Sequence, residues 1–179
     1  VTSKITEALN WNFVVDNRPG ANGIIAVGAA AKSNPDGYTM LLIPSGYAAN
    51  AALYKLPYDP VNDVAPVAFI GETGFIIVVH PSLPVKSVKE LIAYDKANPA
   101  KLSYGSSGTG TGIHLGTELF NQMAGTKMTH VPYKGAAPAM TELIGGQIQL
   151  VIGSMIGAVQ HIRSNRLRGI AVTTSRRSN

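Results

Sequence analysis

Between an apolar run and an amphipathic one lies Tyr104-Gly105-Ser106-Ser107-Gly108-Thr109-Gly110-Thr111-Gly112-Ile113-His114, a chain of glycines and hydroxyl side chains. Such a loop exposes backbone N–H groups, and a helix start behind it adds partial positive charge, so these residue types suit an anion. A carboxylate and a phosphate would both fit. Tyr133-Lys134-Gly135 offers a second cluster, with a phenol, a cation and a glycine that lets a backbone approach a ligand closely.

Three enzyme motifs can be tested on the glycine loop, and each fails. A P-loop needs Gly-Lys-Ser/Thr after its spacers, and the loop holds no lysine. A dinucleotide fingerprint starting at Gly108 requires glycine where Ile113 stands. A nucleophile elbow centred on Ser107 requires glycine where Thr109 stands. His80, His114, His130 and His161 lack metal-ligand spacing, and none of the ten carboxylates forms a close pair of the acid–base type. Neither a metal site nor a cofactor is expected. His114, at the head of the helix behind the loop, is read as a capping residue or a ligand neighbour.

The elements that must position these loops alternate between β-branched apolar runs and amphipathic stretches, the pattern of an α/β protein whose helices cover a largely parallel sheet. In the first part, helices are expected over 2–10, 24–32 and 47–54, and strands over 12–16 and 38–43. Further apolar runs lie at 64–70 and 75–79. His80-Pro81-Ser82-Leu83-Pro84 is a stiff connection and is taken as a domain boundary. Ser87 and Glu90 form a capping-box pattern for a helix over 88–97. A strand–helix unit then repeats: 101–104 with 113–123, 129–131 with 138–144, and 149–152 with 156–164, before a last strand over 167–174. In open α/β sheets ligands lie outside the carboxyl ends of strands, which directs attention to loops 105–112, 132–137 and 153–154.

Bulk composition narrows the class. With 179 residues, 45% hydrophobic and 14% charged, the chain has the apolar content of a globular protein. Its apolar runs are far shorter than the roughly 20 residues of a membrane-spanning helix. The absence of cysteine removes disulfides and thiolate chemistry. Val1 to Leu9 lacks the pattern of a signal peptide. The net charge of +5 favours encounter with anions, but aromatic residues are not interleaved with the basic ones, which argues against nucleic acid.

Six short motifs, in this order, resemble the substrate-binding component of tripartite tricarboxylate transporters, the TctC or Bug family. They are Asn17 to Gly23 (NRPGANG), Asn34 to Thr39 (NPDGYT), Leu56 to Pro60 (LPYDP), Tyr104 to His114, Val131 to Gly135 (VPYKG) and Gly145-Gly146-Gln147. The resemblance implies a two-lobed Venus-flytrap receptor of the Gram-negative periplasm, not an enzyme. Its ligand would be a small carboxylate held between lobes, with integral-membrane transporter subunits as partners and the receptor itself monomeric. Carried over by position, the second lobe would contact the ligand through Ser106, Ser107, Gly108, Thr109, Thr111, His114, Lys134 and Gly135. The first lobe would add Ser45, Gly46 and Tyr47. The expected division is 1–80 for a partial first lobe, 81–170 for the second, and 171–179 for the return.

Two departures from the family pattern matter. Members carry a strand and ligand-binding loop ahead of the position of Val1 and continue past the last strand. The first lobe is therefore expected to be incomplete, with exposed sheet edges. At Gly153 many relatives carry an aspartate suited to a ligand amine, so the ligand is expected to lack an α-amino group and to be bulkier. Two alternatives keep the same loops: an enzyme using the glycine loop as a phosphate cradle, and a ligand-sensing subunit for a membrane signalling partner.

Overall fold

Alternation of apolar side chains in Phe75–Val79 sends Val78 to one side and Ile77 and Val79 to the other, which is what a strand buried on both faces requires. In the computed structural model, which describes residues 2–44, 46–72 and 74–176, this strand is β1 of a five-stranded sheet. The others are β2 (Ser103–Ser106), β3 (Thr129–Pro132), β4 (Leu150–Ser154) and β5 (Arg168–Val172), in the order β3-β2-β4-β1-β5. β2 runs parallel to β3 and β4, whereas β1 is antiparallel to both β4 and β5. The α/β class holds, but the sheet is mixed rather than largely parallel. Apolar content signals a buried strand without signalling its direction.

Helices cover both faces. In chain order they are α1 (Thr2–Leu9), α2 (Ile24–Ala31), α3 (Gly46–Leu53), α4 (Val88–Ala97), α5 (Gly112–Ala124), α6 (Ala136–Ile144) and α7 (Met155–Arg163). Leu91 of α4 packs with Val79, Leu102, Tyr104, Leu150 and Ile152 in one core. On the opposite face Leu143 of α6 and Ala158 of α7 pack with Val78, Ile148, Val151 and Leu167. Local chemistry sets the helix ends. The Ser87 hydroxyl accepts from Glu90 N–H at 3.2 Å, while the Glu90 carboxylate reaches back to Lys86 N–H, one residue ahead of the cap. α5 stops at Gly125, in the left-handed conformation that suits glycine.

The region before β1 differs from expectation. Residues 12–16, 38–43 and 64–70 form no strand, and Val14, Tyr38 and Val67 are 97%, 91% and 87% exposed. A strand exists only through a neighbour that takes its N–H and C=O groups, and among the described residues these segments have none. What does pack there is small: Val27 of α2 is buried, and Gly28 lies against Pro57 and Tyr58.

The expected division at His80–Pro84 does not coincide with an edge of the sheet. β1 precedes that connection yet bonds to β4 and β5, so the sheet unit runs from Phe75 to Val172. The two-proline connection is instead fastened to the sheet, because the Arg168 guanidinium donates to the carbonyls of Pro81, Leu83 and Val85. Because β1 is antiparallel, the chain enters at Phe75 and leaves at Val172 side by side. There Thr173 N–H donates to Phe75 O, and Phe75 N–H donates to Thr173 Oγ1, each at 2.9 Å.

Candidate functional site

Strands β2, β3 and β4 point the same way, so their carboxyl ends share one edge, and the turns that follow launch α5, α6 and α7 from it. Three helix N-termini thus gather at that edge, each with first-turn N–H groups that have no partner inside the helix. α3 adds a fourth, since a Cβ placed on Gly46 would lie 3.7 Å from Gly112 N. Side-chain capping is sparse. α5 has Thr111, whose hydroxyl accepts from His114 N–H at 3.4 Å, whereas α6 begins at Gly135 and α7 at Ser154 with no side-chain cap. Pro138 contributes no N–H, so α6 presents those of Ala136 and Ala137.

Within the glycine loop most donors are spent on shaping the loop. Gly108 N–H donates to Ser106 Oγ at 3.1 Å, and Thr111 Oγ1 donates to Gly108 O at 2.7 Å. Gly110 N–H donates to His114 Nδ1 at 3.1 Å, which fixes that nitrogen as the acceptor. Gly110 adopts φ 79°, and a Cβ there would meet Leu53 Cδ1 and Tyr54 Oη at 3.0 Å, so the position requires glycine. Ser106, Gly108 and Thr111 therefore build the loop. Gly112 and Ile113, the first residues of α5, keep N–H groups that no helical carbonyl can take.

Behind the loop sits a ring stack that motif reading missed. His130 lies between Tyr104 (centroids 4.9 Å apart) and His114 (4.1 Å), and its Nε2 is 2.6 Å from Ser106 Oγ. Burial, reinforced by the adjacent His114, lowers the His130 pKa, so the ring is held neutral. The Tyr104 hydroxyl donates to Glu118, and burial together with that carboxylate raises its pKa far above the ordinary value. The Ser106–His130 separation is that of a nucleophile and its base, but Ser106 is fully buried and its hydroxyl also serves Gly108. The pair pins the end of β2 to β3. Its signal is the parallel register that sets Tyr104 opposite His130, which the local sequence does not carry.

The N-terminal region reaches the loop through amides and a phenol. Asn22, in a left-handed conformation at φ 52°, donates from its side chain to Asn50 Oδ1 and to Gly110 O at 3.0 Å. Fully buried Asn50 returns a bond to Asn22 O at 3.1 Å, and Tyr54 donates to Thr109 O at 2.9 Å. These three residues were not singled out by sequence. Asn22 does fall inside the NRPGANG turn, but its partners lie 28 and 88 positions away.

Of the other expected residues, Ser45 lies outside the described residues. Gly46 opens α3 beside Gly112. The Tyr47 hydroxyl is committed to Pro60 O at 2.6 Å, and its ring stacks on Tyr58. The Thr109 side chain is exposed and its carbonyl is held by Tyr54. Lys134 is exposed, with no hydrogen bond among the described residues, and Gly135 caps α6. Ser107 and Gly153 line a cavity of about 630 Å³ that opens between α6 and α7, together with Ser106, Ala136, Ala137 and Ser154. Gly153 is buried, and a Cβ on it would come within 3.1 Å of Val151 Cγ1. Among the described residues no cluster of three or more metal-binding side chains occurs, and no helix is long and apolar enough to cross a membrane.

Comparison with known proteins gives a consistent picture. Residues 1–179 match the family described as "Tripartite tricarboxylate transporter family receptor". Protein BugT of Bordetella pertussis is 37% identical over 177 residues, covering 97% of this chain and 54% of BugT. Among solved structures, Rhodopseudomonas palustris Rpa4515 with adipate superposes with a TM-score of 0.93 at 39% identity, over 98% of this chain and 59% of that one. MatC from Rhodopseudomonas palustris with bound malate gives 0.86 at 27% identity, over 98% and 60%. The chain spans about half the length of the curated relatives it matches.

Proposed function

Since this chain belongs to the tripartite tricarboxylate transporter receptor family, we propose that it forms the carboxylate-binding part of a periplasmic solute receptor that delivers its ligand to membrane transporter subunits. The observation that carries the reading is the convergence of the α6 and α7 N-termini, neither capped by a side chain, on a cavity at the carboxyl edge of β2, β3 and β4. Unspent N–H groups and the positive ends of two helices stabilise a bound carboxylate. The neighbours solved with adipate and malate support a small organic acid as the ligand.

Binding rather than turnover also fits the Ser106 hydroxyl, which is fully buried and held by Gly108 as well as by His130. Gly153 adds a restriction. With no carboxylate at that position to pair with an amine, the preferred ligand lacks an α-amino group. A thermal-shift screen of the protein at its natural length against mono-, di- and tricarboxylates tests both points. Carboxylates should raise the melting temperature with concentration, while aspartate and glutamate should not. A shift confined to phosphate or nucleotides would overturn the receptor reading, and tight aspartate binding would overturn the role of Gly153.

A further inference from the structure

Gly110 is held from both sides. Its N–H donates to His114 Nδ1 at 3.1 Å, and its carbonyl accepts from the Asn22 amide at 3.0 Å. The carbonyl of the preceding Thr109 accepts from the Tyr54 hydroxyl at 2.9 Å. One short stretch of backbone thus joins α5, which carries His114, to the turn that carries Asn22 and to Tyr54, which follows α3. Ser107 and Ile113, which flank that stretch, line the α6–α7 cavity, so a shift at Gly110 is felt in the cavity wall.

His114 supports the stretch in one protonation state only. A neutral imidazole has one donor and one acceptor nitrogen, and with Nδ1 accepting from Gly110 the proton lies on Nε2. A second proton turns Nδ1 into a donor aimed at a donor, and the bond to Gly110 is lost. Of the side chains holding this stretch, His114 is the one whose type ordinarily changes charge between pH 5 and 8.

The neighbours of His114 decide where such a proton goes. From β3 the His130 ring stacks on it with centroids 4.1 Å apart, and burial lowers the His130 pKa and keeps that ring neutral. Tyr104 of β2 lies on the other side of His130 and donates to Glu118, one turn along α5 from His114. Glu118 favours positive charge in the stack. Tyr54 shares with His114 a cavity of about 150 Å³, closed on its apolar side by Leu53 and Leu115. β1 and β4, which also pack against α5, carry no titratable side chain. With His130 held neutral, the half-buried ring of His114 is the one left to take the proton.

Resting on the carboxylate-binding reading above, we propose that His114 is a positioning residue that makes ligand binding depend on pH. Neutral, it holds Gly110 and with it the binding shape of the glycine loop; protonated, it releases Gly110 and loosens the Asn22 contact on the other side. Affinity therefore falls as His114 takes up a proton.

The test follows His114 and Gly110 together in the protein at its natural length, isotopically labelled at glycine and histidine nitrogen. The Gly110 amide resonance should move with the His114 ring nitrogens at one common midpoint. Protection of Gly110 from hydrogen exchange should fall about ten-fold or more across that midpoint, the scale of one lost hydrogen bond. His114→Asn sets an amide oxygen near the place of Nδ1 and takes no proton, so Gly110 should stay protected at pH about 7.5 and about 5.5 alike. His114→Phe offers no acceptor, and protection should be low at both. Calorimetry with adipate, the acid present with Rpa4515, supplies the binding readout. Between the two pH values affinity should fall about five-fold more in the unaltered protein than in His114→Asn, a comparison in which protonation of adipate itself cancels. A Gly110 amide that ignores the His114 titration, or an equal fall in affinity in both proteins, overturns the proposal and leaves the carboxylate reading standing. If adipate binds no form at either pH, the effect on binding is refuted together with that reading, even where Gly110 follows His114.

Discussion

Val78 and Val14 sit in short apolar runs of similar make-up, yet one is sealed in the core and the other is almost wholly exposed. Val78 belongs to a strand with β4 on one side and β5 on the other, and its alternation feeds two cores. Val14 belongs to a segment that finds no ladder among the described residues. The difference lies in the neighbours and not in the run itself. A strand is a joint property of two segments, whereas a helix closes its hydrogen bonds within itself. The region before β1 accordingly keeps its helices, and it meets the site mainly through polar side chains, with Asn22 and Tyr54 gripping the glycine loop.

Leu143→Ala should give the largest effect, about 2–5 kcal/mol of lost stability by urea denaturation, because it empties a site with no exposure in the α6–α7 core. Asn50→Ala tests whether the polar grip matters. It removes the partner of Asn22 O and one acceptor of the Asn22 amide, and should cost about 1–3 kcal/mol. Hydrogen exchange at Gly110 should accelerate in the same variant, and unchanged exchange there would show that the grip does not reach the loop.

Acidification should act through the ring stack. Because the folded His130 pKa is lowered, the unfolded chain binds a proton that the folded one resists as pH falls below about 6.5, so stability should decline from there until the folded ring titrates. Denaturation midpoints compared at pH 7.5 and 5.5 should show the decline, and His130→Asn should reduce it. At the far end of the scale, Val14→Ala in this chain should change stability by no more than about 0.5 kcal/mol. A large loss there would break the contrast between the two regions.

Helices were legible in the residues because their signals are local. Ser87 and Glu90 mark the start of α4, Asn98-Pro99 marks its end, and the expected range of 88–97 is the observed one. The turn between β2 and α5 was legible from its glycines and hydroxyls. What stayed hidden depended on distant partners. The antiparallel insertion of β1 is decided by β4 and β5, more than 70 positions further along. Asn50 reads as one more polar residue in an alanine-rich helix until Asn22 is brought beside it. Tyr47 was expected at the ligand from the family resemblance; its hydroxyl is bonded to Pro60 O, a partner that the sequence does not announce.

The paired passage of the chain at Phe75 and Thr173 has a mechanical consequence. The backbone enters and leaves the sheet unit at two adjacent points, and these are tied to each other by two hydrogen bonds and crowded by Gly74 against Thr174, where a Cβ would collide at 2.4 Å. Two adjacent tethers act like the pins of a door hinge: they resist sliding and twisting while leaving one swinging motion comparatively cheap. The pins stand on the same edge as the cavity, so any such swing changes the mouth of the cavity more than its floor.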